Sequence, residues 1–98
     1  MMNLGTTGGK IKLKVETVVN TIVRAGRNRH LLSFKYAGGT TPGSVRMVEA
    51  YSFRQKSQSF LFFAWDVEAN GIRSYKLSLM SEVKETDTFF FPRFPVEL

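Results

Sequence analysis

A chain of 98 residues, 43% apolar and 22% charged, has room for one domain with a modest core and the composition of a folded chain, not a disordered one. The absence of cysteine removes disulfide scaffolds, thiolate metal sites and cysteine nucleophiles together. The net charge of +6 is uneven: residues 1–60 hold ten of the fourteen Lys and Arg against Glu16 and Glu49, whereas residues 61–98 hold four against six acids. A basic front of this kind attracts polyanions such as nucleic acid.

The polar, Gly-rich start lacks the apolar core of a signal peptide, and no apolar run approaches the length of a membrane span, so the expected setting is cytoplasmic, away from membranes. Residues 1–15 read as a flexible leader or short arm. Gly8-Gly9-Lys10 is not a phosphate loop, because Leu4 and Ile11 stand where that motif needs a glycine and a hydroxyl. Alternation of Lys10, Lys12 and Lys14 with Ile11, Leu13 and Val15 suggests a short strand with one basic face. Apolar residues at 15, 18, 19, 22 and 23 then take helical spacing. They predict a helix from about Glu16 to Ala25, stopped by Gly26.

The basic turn Gly26 to His30 reads as a solvated loop, with His30 a surface residue lacking partners for a metal site or a catalytic dyad. Strands follow at Leu31–Ala37 and Ser44–Arg54. The second is long enough to need a bulge near Glu49-Ala50, and its apolar face is read as Val45, Met47, Tyr51 and Phe53. Glu49 on that face needs a partner, since an unpaired buried carboxylate is costly. The dense run Phe60–Trp65 reads as a strand covered on both sides. The acidic loop Asp66–Asn70 ends in the turn signal Asn70-Gly71 and leads to a strand from Ile72 to Leu79. Arg73, Tyr75, Leu77 and Leu79 share one face of that strand, an unusual use of arginine if packing is its only task. Ser81–Thr86 is a fifth short strand, broken by Asp87-Thr88. Phe89–Pro95, with four phenylalanines and two prolines, reads as an extended strap on the body. Five consecutive strands in so short a span predict a small closed barrel after one helix, a mostly β fold forming a single domain over 16–98.

Ser33-Phe34-Lys35-Tyr36, Val48-Glu49-Ala50-Tyr51, Phe60-Leu61 and Ile72-Arg73-Ser74-Tyr75-Lys76-Leu77, closed by Phe91-Pro92-Arg93-Phe94-Pro95, together resemble the WYL domain over about residues 17–95. The resemblance implies an Sm-like or SH3-like barrel. WYL domains occur in bacterial regulators, usually behind a winged helix-turn-helix, and in phage-defence accessory proteins. They are thought to sense nucleic-acid or nucleotide ligands through a basic, aromatic-lined pocket. Here the naming triplet falls on Ser59, Phe60 and Leu61, and Ala50 stands at a usual proline. The family's Arg-x-aromatic-x-Leu-x-Arg run is met at Arg73, Tyr75 and Leu77, with Leu79 at its last arginine. The sixteen residues before this region are too few for a helix-turn-helix.

The functional expectation is a non-enzymatic regulatory module for a nucleic-acid or nucleotide ligand, single-stranded in the nucleic-acid case. Arg73, Lys76, Arg54 and Lys56 would take phosphates, and Tyr36, Tyr51 and Tyr75 would stack bases. The alternative is an interaction module that meets a second copy or a partner protein through a sheet edge or the Phe-rich tail. No cofactor, metal ligand set or catalytic residue is legible.

Overall fold

The computed structural model describes residues 6–98, with side chains from residue 14 onward. One helix, α1 (Thr6–Asn28), precedes five strands, β1 (His30–Tyr36), β2 (Ser44–Lys56), β3 (Ser59–Asp66), β4 (Gly71–Lys76) and β5 (Met80–Phe89); a single 3-10 turn, η1 (Leu77–Leu79), joins the last two. The strands form one antiparallel sheet in the order β4-β3-β2-β1-β5. The fold is mostly β, as expected, but the barrel is not closed by a ladder: β4 and β5 are the two edges. What spans the gap between them is η1, whose Leu79 carbonyl accepts from Ala37 N at 2.9 Å.

The helix is longer than its apolar spacing indicated. Residues 10–15 belong to it, so the expected strand there is corrected, while the leader expected at the very N-terminus falls partly on residues 1–5, outside the described residues. Gly26 does not stop the helix. It lies where α1 approaches the sheet most closely, and a Cβ there would collide with Leu98 Cδ1 and sit 3.3 Å from the Ala50 carbonyl. Arg29, with a left-handed φ of 61°, ends the helix instead: its N–H donates to the Gly26 carbonyl at 3.1 Å and its guanidinium to the carbonyls of Gly26 and Arg27 at 3.0 and 3.2 Å.

The core lies between α1 and one face of the sheet, called the inner face below. Ile22 and Ala25 of the helix meet Leu32, Phe34, Val48, Ala50, Phe62, Ala64 and Tyr75. This corrects the reading of β2. Its buried side is Arg46, Val48 and Ala50, while Val45 and Met47 are exposed. The cause is the bulge. Ala50 pairs with Ala64 but Ser52 pairs with Phe63, so Tyr51 is an extra residue and the alternation inverts beyond it, turning Phe53 inward beside Phe62. Beyond β5, the chain from Phe90 crosses the outer face, held by packing of Phe90 and Phe94 on Tyr51 and by Glu97 N donating to the Tyr51 carbonyl at 2.8 Å, and ends with Leu98 against α1. The strand β5 continues to Phe89, past the expected break at Asp87-Thr88, because Thr86 Oγ1 donates to the Leu31 carbonyl and His30 pairs with Phe89.

Candidate functional site

On β4, inward-facing Tyr75 pairs with Phe62 and Arg73 with Ala64. Tyr75 is only 2% exposed, its ring edge-to-face with Phe34 and Tyr36 at 5.0 Å each. Its hydroxyl donates to Asp66 Oδ2 at 2.9 Å. Burial first, and then this bond to a carboxylate, push the phenol well above its ordinary value near 10. Asp66 is itself buried at the end of β3. Its other oxygen accepts from Ala69 N at 3.0 Å, and its carbonyl accepts from Asn70 N at 2.8 Å, which closes the acidic loop around the left-handed Asn70.

Arg46 completes this centre from β2. Its Nη1 lies 3.9 Å from Asp66 Oδ2 and its guanidinium carbon 5.8 Å from the Tyr36 ring centroid. Ser44 and Thr41 hydroxyls accept from Nε and Nη2 at 2.9 and 3.2 Å. The guanidinium is therefore oriented by a loop and a strand, as a group positioned for bidentate contact would be. The loop around it, Thr41 and Ser44 against Glu68 and Ala69, leaves a cavity of about 350 Å³. Arg73 is exposed. Its Nη1 donates to its neighbour's Ile72 carbonyl at 2.9 Å, and among the described residues no carboxylate lies within ion-pair distance of it. Both guanidiniums act on Tyr75 electrostatically, while Asp66 and Glu68 line the cavity next to Arg46.

The seven residues singled out in the sequence are thus divided. Arg73, Tyr75 and Tyr36 come together on the inner face. Tyr36 is 8% exposed, and its hydroxyl oxygen accepts from Lys76 N at 3.0 Å. With both rings walled into the core, neither Tyr36 nor Tyr75 has a face open to a base. Lys76 has an exposed side chain at the end of β4. Tyr51 and Arg54 lie on the other side of the sheet, Tyr51 by plain alternation from Arg46 and Arg54 because the alternation inverts beyond the bulge. There Arg54 sits over Phe63 at 5.8 Å. Tyr51 donates to Glu49 Oε1 at 2.6 Å and accepts from Arg93 N at 2.8 Å; burial and Glu49 push it up to about 12. Lys56 is at the exposed tip of the β2–β3 hairpin. Arg46 escaped the sequence reading because β2 was assigned the opposite core face; its place in an Arg-x-Val-x-Ala alternation was the available signal.

The other buried and half-buried carboxylates find partners far away in the chain. Glu49 is met by Arg93, whose Nε donates to both oxygens at 3.1 and 3.3 Å while its guanidinium stacks 4.3 Å from the Trp65 ring centroid. His30 is not a lone surface residue. Its Nδ1 is 2.6 Å from Glu85 Oε2, and Arg24 Nε and Asn28 Nδ2 donate to the same carboxylate at 2.7 and 2.9 Å, tying the end of α1 to β5. Residues of the basic turn are thus spent on capping and docking the helix. Among the described residues no cluster of His, Asp or Glu could hold a metal ion, and no helix is long and apolar enough to cross a membrane.

Comparison with known proteins agrees with this architecture. No curated protein sequence matches the chain. Among solved structures, the proteasome accessory factor B/C (PafBC) of Arthrobacter aurescens is similar in fold, with a TM-score of 0.69 and 22% identity; the match covers 78% of this chain and 12% of that one. A family model, the WYL domain, matches residues 17–85. That match runs from the middle of α1 into β5 and takes in Arg46, Asp66, Arg73 and Tyr75, so the chain belongs to the WYL domain family.

Proposed function

We propose that the chain is a non-enzymatic, cytoplasmic regulatory module that binds a nucleic-acid or nucleotide ligand at the Arg46–Arg73 centre, in a setting such as transcription regulation or phage defence. The observation that carries this reading is the state of Arg73: exposed, on the inner face, and without a carboxylate partner among the described residues. A guanidinium in that state keeps donors for phosphate oxygens, and Arg46, the other guanidinium that acts on Tyr75, is held in orientation by Ser44 and Thr41. Recognition at this centre is by phosphate first, since the neighbouring tyrosine rings are enclosed. The family membership supports a regulatory, ligand-sensing role.

Fluorescence anisotropy with a labelled short single-stranded oligonucleotide at several salt concentrations tests it. Arg73→Ala is expected to weaken binding about tenfold and to lower the slope of log affinity against log salt by about one. Equal binding and equal slope in wild type and variant would remove Arg73 from the site.

A second reading has its own observation. Phe91 is 94% and Phe89 73% exposed, on either side of the buried anchor Phe90, and such a patch is an association surface. Light scattering on the full chain and on Phe91→Ser separates the two: oligomers that the variant disperses favour the tail as a contact.

A further inference from the structure

The apolar stripe of α1 runs further than the sheet beneath it. Ile22 and Ala25 are fully buried and Val18 is partly buried against the core, but Val15, next in the same stripe, is 44% exposed. The helix packs on β1, β2, β5 and η1, leaving the start of β3 uncovered. There Phe60 stacks on Phe53 with centroids 5.2 Å apart and planes 14° from parallel, yet remains 41% exposed. Between Val15 on one side and Phe60 on the other lie two adjoining cavities of about 370 and 260 Å³, which share Val15, Leu77 and Ser78. Volumes of this order belong to small-molecule sites rather than to packing defects.

Charge narrows the occupant. The lining is mostly apolar, with Val15, Val18, Phe60, Leu77 and Met80 against the neutral polar Gln58, Ser59 and Ser78, and each cavity is lined by one lysine, Lys76 in one and Lys14 in the other. No carboxylate is in either lining, and among the described residues neither ammonium has an ion-pair partner. A mostly apolar slot with a lysine in each lining and no carboxylate is complementary to an apolar body carrying an anionic head. We infer that the groove between α1 and the β2–β3 hairpin binds a small amphipathic anion, such as a medium-chain carboxylate, at a site separate from the Arg46–Arg73 centre. The tail lies on Val15, Val18, Phe60 and Leu77, and the head is held by Lys14 or Lys76. Burial of the exposed apolar surface contributes most of the affinity, and the lysines select the sign of the head group.

Titration of the full chain with the anionic fluorophore 1-anilinonaphthalene-8-sulfonate tests the site, with competition by dodecanoate and by dodecyltrimethylammonium below their micelle concentrations. Saturable one-to-one binding is expected, displaced by the carboxylate and not by the cation. Reversing both lysines, Lys14→Glu with Lys76→Glu, is expected to weaken binding about tenfold, the scale of one lost charge-assisted contact. Val15→Asp, at an exposed helix position, is expected to weaken it as much, with the circular dichroism spectrum unchanged. Arg73→Ala is expected to leave it unchanged, which keeps this test independent of oligonucleotide binding. Affinity within twofold of wild type in the lysine variant, equal displacement by the cationic detergent, or loss of binding in Arg73→Ala would each overturn the assignment. So would sedimentation showing dimers that Val15→Asp dissociates, which would give the groove to a second copy of the chain.

Discussion

Tyr75→Phe removes one oxygen from the middle of the candidate site and nothing else. The ring keeps its edge-to-face contacts with Phe34 and Tyr36 at 5.0 Å, so no cavity of consequence opens. What is lost is a 2.9 Å hydrogen bond to a carboxylate that is 3% exposed. Asp66 keeps Ala69 N at 3.0 Å, but Arg46 at 3.9 Å is too distant to replace the hydroxyl without moving. A buried bond to a charged acceptor contributes about 1.5–3 kcal/mol, because the acceptor left behind remains desolvated. For a domain of this size a loss of about 2 kcal/mol lowers Tm by roughly 8–16 °C. Thermal unfolding followed by circular dichroism at pH 7 measures it. The double-mutant cycle with Asp66→Asn should return a coupling of about 1–2 kcal/mol. A Tyr75→Phe variant within about 0.5 kcal/mol of wild type would mean that water or Arg46 satisfies Asp66 equally well, and the account of a rigid Tyr75–Asp66–Arg46 centre would fail.

Other consequences follow from the same contacts. Glu85 is drawn from its ordinary 4.5 down to about 2, chiefly by the Asn28 amide, then by Arg24 and His30, with burial opposing. A carboxyl depressed on folding stabilises the protein fully above its unfolded value and loses that contribution as pH falls, here between about 4.5 and 2. The melting temperature of Glu85→Gln should therefore decline less over that window than that of wild type, and parallel profiles would count against the cluster. Tyr51 and Tyr75 titrate above the ordinary 10, so their contribution is intact below pH 10 and lost as pH rises past it. Absorbance at 295 nm should show both phenols ionising only as the protein unfolds; normal titration of Tyr51 and Tyr75 in the folded state would contradict their burial. Arg93→Ala leaves Glu49, 4% exposed, with Tyr51 alone and uncovers Trp65, the sole tryptophan. A loss of about 1–3 kcal/mol and a red-shifted emission are expected; unchanged emission would show that the stack over Trp65 does not persist in solution.

Local signals made much of the site legible. Asn70-Gly71 marked the turn that returns β4 beside β3, and the odd pairing of arginine and tyrosine in Ile72–Leu79 pointed to Arg73 and Tyr75, which do share the inner face. Arg46 was not legible, since a single bulged residue at Tyr51 decides which side of β2 is the core, and alternation before and after it cannot be joined without the pairing register. The same inversion puts Arg54 on the outer face with Tyr51, away from Arg73.

The order of one helix and five antiparallel strands, and the family to which the chain belongs, follow from the sequence, because apolar periodicity and turn residues act over a few neighbours. Partners far apart in the chain do not follow from it. Glu85 collects Arg24, Asn28 and His30, Arg93 reaches back to Glu49, and Leu98 seats against Gly26, so that a glycine resembling a helix stop is a point of close packing. Whether the strands close into a barrel was also decided in three dimensions. Strand count permits closure, but only the twist of the assembled sheet sets the distance between its edges, and here η1 occupies the gap in place of a β4–β5 ladder.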